Sequence, residues 1–220
     1  MPDFDPANLV NGVSGFATIF AGLTCLALNR WVSPQPRRWL AVYWAIVLTG
    51  IPTVWYHGFG EQRLPGLADI STNLLLAWTM QVAALWDGYP IRTRRRVAGI
   101  SGLVNLAVIA WRLLGFQRSL AIPLGEFGGF TLSEVTLIAD SFLAVGLLYG
   151  RYRQLPRRSQ PMLRLVTAVF LVGMALASAS NSQIHLTIIA YHALWHLVGA
   201  FGFVLLWGFN HLRFTAGEYS

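Results

Sequence analysis

Tyr191-His192-Ala193-Leu194-Trp195-His196 sets two imidazoles one helical turn apart inside an otherwise apolar stretch long enough to cross a bilayer. Residues at i and i+4 share one face of a helix, so both rings can reach a single ion. Metal-binding side chains at bilayer depth are costly to place and mark chemistry there. The pair reads as the histidine half of a zinc site whose other ligands come from elsewhere in the chain. Cys25 is the only cysteine among 220 residues, so those ligands have to be His, Asp or Glu.

Composition agrees with the membrane reading: 55% of the residues are apolar, 11% are charged, and the mean hydropathy is positive. Apolar runs of about 20 residues recur along the chain. They are centred near Thr18, Ala45, Ala77, Leu106, Phe142, Val172 and Phe201. The expected fold is all-α, a polytopic seven-transmembrane helix bundle forming a single domain over residues 1–220. The lead-in Met1-Pro2-Asp3-Phe4-Asp5 has no basic residues, so the first span is expected to belong to the bundle rather than to a cleaved signal.

All 16 basic residues are Arg, and they explain the net charge of +7 by position. Arg30, Arg37 and Arg38 follow the first span, Arg92 and Arg94 to Arg96 the third, and Arg151, Arg153, Arg157 and Arg158 the fifth. The other connections carry only Arg63 and Arg118. The positive-inside rule then puts the N-terminus outside and the C-terminus in the cytoplasm. The arginines meet anionic lipid headgroups, and no nucleic-acid partner is needed to account for them. The all-Arg basicity and compact loops point to a bacterial cytoplasmic membrane. Gly199, Gly202 and Gly208 could pack within the bundle or between subunits, and fix no oligomeric state.

This topology brings other polar residues to the level of the histidine pair. The second span ends at Thr53-Val54-Trp55-Tyr56-His57, and the third begins near Asp69. His57, Asp69, His192 and His196 are therefore expected to converge in the outer half of the bilayer, roughly 5 to 15 Å below its surface at a rise of 1.5 Å per residue. Thr53 and His57 are again four apart and share a face; a helix threonine can also bond the carbonyl one turn back.

These residues resemble the alkaline ceramidases, within the superfamily that also holds the adiponectin-receptor and haemolysin III type proteins. The resemblance lies in a hydroxyl residue four before a His, an Asp about a dozen residues later, and a His-x-x-x-His in the seventh helix. Here these are Thr53, His57, Asp69, His192 and His196. It implies a zinc ion on His57, His192 and His196 with a fourth position for water, Asp69 as general base, and Thr53 as donor to the tetrahedral oxyanion. The implied activity is hydrolysis of a lipid amide such as ceramide to a fatty acid and a sphingoid base. The family's usual serine is Thr53 here, whose methyl narrows the pocket. The family's acidic calcium segment is reduced to Asp3, Asp5, Asn8 and Asn11 with no Glu, which points to a weakened or lost calcium site. The runner-up is a zinc-containing receptor or signalling protein of the adiponectin-receptor type.

Other readings fit less well. With no Lys there is no Schiff-base site for retinal, two His on one turn suit an ion better than a haem, and no inverted repeat suggests a transporter. Among the remaining polar residues, His185 is expected to lie two turns outward on the face of His192, and Glu61 to be a loop carboxylate. Glu134 and Asp140, inside the fifth span, are expected to pair with Arg112 or line the cavity. Trp39 and Trp86 are expected at the membrane interface, with Trp44 and Trp111 packed deeper.

Overall fold

The structure, a computed structural model, describes residues 6–58, 63–115, 122–123, 129–181 and 191–215. Among these residues seven α-helices follow one another: α1 (Pro6–Trp31), α2 (Arg37–Gly58), α3 (Arg63–Trp86), α4 (Ile91–Leu113), α5 (Leu132–Tyr149), α6 (Gln160–Asn181) and α7 (Tyr191–Phe214). Each contains one of the expected span centres. Strand structure among the described residues is confined to a small antiparallel pairing of Ile122 with Phe130 and Pro123 with Gly129 before α5.

Six of the helices are long and apolar enough to cross a membrane, which is the make-up of a multi-pass integral membrane protein. The exception is α3. At 24 residues it is long enough, but Asp69, Ser71, Thr72, Asn73, Thr79 and Gln81 lower its hydropathy. Its neighbours explain how these polar residues are tolerated. The helix packs against α2, α4 and α5; Ser71 and Thr72 donate to their own helix at Leu67 O and Ala68 O, and Gln81 bonds across to α5 and α4. A polar helix enclosed by three others does not have to satisfy lipid. The outward faces of the other helices are apolar, with Phe20, Trp44, Leu103, Leu106 and Phe201 all more than half exposed.

The tightest seam runs between α1 and α2. A Cβ on Gly22 would lie 2.8 Å from the backbone nitrogen of Val47, one on Gly50 2.9 Å from that of Ile19, and one on Gly12 2.6 Å from Cα of Gly58. Small residues let the two backbones approach this closely. The glycines singled out on α7 do not do this: Gly199 has open space around it, and Gly202 and Gly208 meet only side chains at 3.4 and 3.8 Å. On the other side, α7 packs against both α1 and α6, while α5 packs on α3 and α4. A cavity of about 290 Å³ is left between α5, α6, α7, α2 and α3.

The arginine-bearing connections meet at one end of the bundle. Asp87, just after α3, pairs with Arg38 of α2 and with Arg213 of α7, the latter at 2.5 Å. Trp39 Nε1 donates to Oδ2, the oxygen that Arg213 pairs with, at 2.9 Å, and Arg151 Nη1 donates to the Asp87 carbonyl at 2.8 Å. Trp39 is fully buried in this cluster rather than lying at the interface, and Trp44, expected to be packed, is 52% exposed. The cause is one of register. Trp39 follows Arg38 into the Asp87 cluster, whereas Trp44 falls on the outer face of the same helix.

Candidate metal centre

At the opposite end, His57 of α2 and His192 and His196 of α7 present ring nitrogens that all lie within 4.8 Å of one another. His57 and His196 are 8% and 7% exposed, and their rings lie 5.4 Å apart between centroids. His57 Nε2 and His192 Nε2 face each other at 3.0 Å. Two lone pairs cannot share that approach without a proton or a cation between them.

His196 shows which of its nitrogens is turned to the group. Its Nδ1 lies 2.8 Å from Ser14 Oγ of α1, and that hydroxyl donates its hydrogen to Asn11 O at 2.8 Å. With that hydrogen on Asn11 O, the Ser14 oxygen is left to accept from Nδ1, the arrangement that frees the Nε2 lone pair. A hydrogen bond on the far nitrogen fixes tautomer and ring orientation in just this way for metal-ligating histidines. Ser14 was missed from sequence, since nothing local ties it to a histidine 182 residues away. The only signal was a serine next to glycines on a helix able to pack closely. The Gly12 approach to Gly58 is what brings it there.

Three neutral imidazoles are a donor set suited to zinc and related ions. With bonds of 2.0–2.1 Å, ligands of a tetrahedral ion stand about 3.3 Å apart; the observed span of 3.0 to 4.8 Å brackets that value. The residues therefore fit a metal ion bound by three histidines with a position left over.

Asp69 and Thr53 border the same cavity as the three histidines. Thr53 Oγ1 lies 2.5 Å from Asp69 Oδ1 and 2.9 Å from Thr49 O. The helix-threonine reading of Thr53 is thus realised, and the same hydroxyl, with a single hydrogen, also meets Asp69. Asn73 Nδ2 reaches the same Oδ1 at 3.4 Å, leaving Oδ2 of Asp69 without a protein donor among the described residues. The carboxylate is held by one oxygen and open at the other.

The expected Arg112 pairing is replaced by a different arrangement. Arg112 donates to Ser133 Oγ at 3.0 Å and toward Gly66 O at 3.4 Å. Glu134 instead closes a capping box at the start of α5, its Oε2 accepting from Thr131 N at 2.6 Å and Thr131 Oγ1 at 2.8 Å. Asp140 is 6% exposed, and its Oδ2 has no partner among the described residues. His185, Glu61, Arg118, Asp3 and Asp5 lie outside the described residues, as does the side chain of Asn8. Asn11 is described, and its side-chain oxygen is buried without a partner there.

The cavity is polar at one end and apolar at the other. Along α5 it runs from Glu134 through Leu137 and Ile138 to Val145, about 16 Å at helical rise. Val169 and Phe170 of α6 and Leu206 of α7 complete the apolar part. Its size approaches the roughly 300 Å³ at which ligand pockets begin. No protein-family model matches the chain, and comparison with curated proteins finds no match.

Proposed function

We propose that the chain is a zinc-dependent intramembrane hydrolase of lipid amides, ceramidase-like in its chemistry, in a seven-span bundle with the N-terminus outside and the histidines in the outer half of the membrane. The observation that carries the reading is the joining of three imidazoles, an acid held by a hydroxyl and an apolar stretch of lining in one cavity. The resemblance to the alkaline ceramidases assigns the same residues to the same roles. The orientation rests on the arginine-rich connections, which gather at the end remote from the histidines.

Bound by His57, His192 and His196, zinc supplies Lewis acidity that polarises a carbonyl and makes water a competent nucleophile near pH 7. The chain's own residues do the rest. Ser14 holds His196 in the tautomer that points its lone pair inward. The open Oδ2 of Asp69 takes a proton from the attacking water as its oxygen bonds to the amide carbon. That proton passes to the nitrogen as the carbon–nitrogen bond breaks, giving a fatty acid and a free amine. While Asp69 is ionised, Thr53 donates to it or to Thr49 O; once Asp69 is protonated, the threonine hydroxyl can turn to the oxyanion. The apolar stretch past Leu137 takes the acyl chain, and α3, as the enclosed seventh span, carries Asp69 without exposing it to lipid.

Purified protein in detergent, supplied with a long-chain ceramide, is expected to release fatty acid over many turnovers in a chelator-sensitive way. Tight lipid binding with no release in metal-loaded protein would contradict the hydrolase reading and favour the receptor type.

A further inference from the structure

Glu134 faces the cavity from the first turn of α5, at the level of the histidines, and the chemistry described so far leaves it unused. Its Oε2 is occupied by Thr131, while Oε1 has no donor among the described residues. The cation nearest in sequence logic, Arg112, spends its hydrogen bonds on Ser133 and Gly66, and the ion pairs among the described residues all fall on Asp87. A carboxylate oxygen that borders a largely apolar cavity and is paired with no arginine is free to accept hydrogen bonds from a ligand that enters. Asp69 does not duplicate this function, since it is tied through Oδ1 to Thr53.

Placement decides which part of a ligand would supply the donors. The apolar lining begins one turn below Glu134 at Leu137 and continues away from the histidines. A lipid with its tail in that stretch and its amide at the histidines leaves its polar head beside the start of α5. We infer that Glu134 is a specificity-determining residue that accepts hydrogen bonds from hydroxyl or N–H groups on the amine side of the substrate. This inference rests on the lipid-amide reading and narrows it to amides whose amine portion bears such donors. Plain N-alkyl amides of the same length leave Oε1 unsatisfied and are disfavoured.

The test compares two lipids of equal length, an N-acyl amino alcohol and an N-acyl alkylamine, with wild-type protein and Glu134→Gln. Glutamine keeps the capping box, in which Gln serves as well as Glu, and removes the charge. Wild-type protein should prefer the amino-alcohol lipid by about ten- to a hundredfold in kcat/KM, the value of one hydrogen bond to a charged group, and Glu134→Gln should erase most of that preference. An equal fall for both lipids, or an unchanged preference, overturns the assignment. Binding of the same pair, followed by ligand-induced thermal stabilisation, separates this from the hydrolase reading. If neither lipid is cleaved, hydrolysis of this lipid class fails, yet a binding preference lost in Glu134→Gln still supports the role of Glu134. The absence of any binding preference in wild-type protein overturns it.

Discussion

The bundle has a buried polar cluster at each end, and the two differ in what they leave unmatched. Around Asp87 the charges are paired within the chain, although Arg213 Nη2 makes no hydrogen bond among the described residues and a cavity of about 170 Å³ borders Asp87 and Arg213. Arg38, Arg213 and Trp39 converge on one carboxylate, Arg213 Nε donates to Asn210 at 2.9 Å, Asn210 to Tyr43 at 2.9 Å, and Tyr43 to Gln35 at 2.5 Å. The Arg213 guanidinium is also stacked 4.4 to 4.8 Å from the rings of Phe214, Trp39 and Phe209. Around the histidines the network is open: three rings face one another, the second oxygen of Asp69 meets no protein donor among the described residues, and a cavity adjoins. A buried charge met by an opposite charge of its own chain is structural, whereas three converging imidazoles with no counterpart between them are built for an outside group.

The sharpest break between the two ends comes from Asp87→Ala. It strips the counter-charge from Arg213, whose side chain is 6% exposed. Leaving a buried charge unpaired costs about 3–5 kcal/mol, so thermal unfolding in detergent should shift strongly downward. The fraction that remains folded should still bind metal, because the histidines lie at the other end of the helices.

Ser14→Ala makes the complementary change. Removing the hydroxyl that orients His196 should weaken metal affinity by about 10–100-fold, read by competition with a chelator, with little effect on unfolding of the metal-free protein. A comparable loss of metal affinity in Asp87→Ala would mean that the two ends are coupled rather than separate.

Gly50→Ala probes the seam that connects them. The added methyl would lie 2.5 Å from Ile19 Cγ1 and 2.9 Å from Ile19 N, the second of which is backbone and cannot rotate away. Overpacking of this kind costs about 1–3 kcal/mol. Stability should fall by that amount in a denaturation series, while metal affinity changes less than in Ser14→Ala.

Much of this arrangement was legible in the sequence, and the omissions have physical causes. Runs of apolar residues located all seven helices because a bilayer-length stretch has few other uses. The same runs overstated α3, whose polar residues are absorbed by neighbours and by its own backbone. His57, His192 and His196 could be joined on paper because helical spacing and alternating topology both constrain depth. Ser14 could not, since its hydroxyl reaches across a glycine-mediated helix crossing that spacing does not encode. Trp39 and the Arg112 pairing of Glu134, though not its place in the cavity lining, were misjudged for a related reason: a residue near a helix end can turn to the headgroups, to a cap or to a buried ion pair. Only the packed partners decide which.

Elemental analysis of the purified protein, run beside His196→Ala with matched helical content, tests the metal centre most directly. About one zinc ion per wild-type chain, as a three-histidine site holds, with loss of both metal and lipid-amide hydrolysis in His196→Ala, is the predicted result. Metal-free wild-type protein after preparation without chelators, or full activity in His196→Ala, would contradict it.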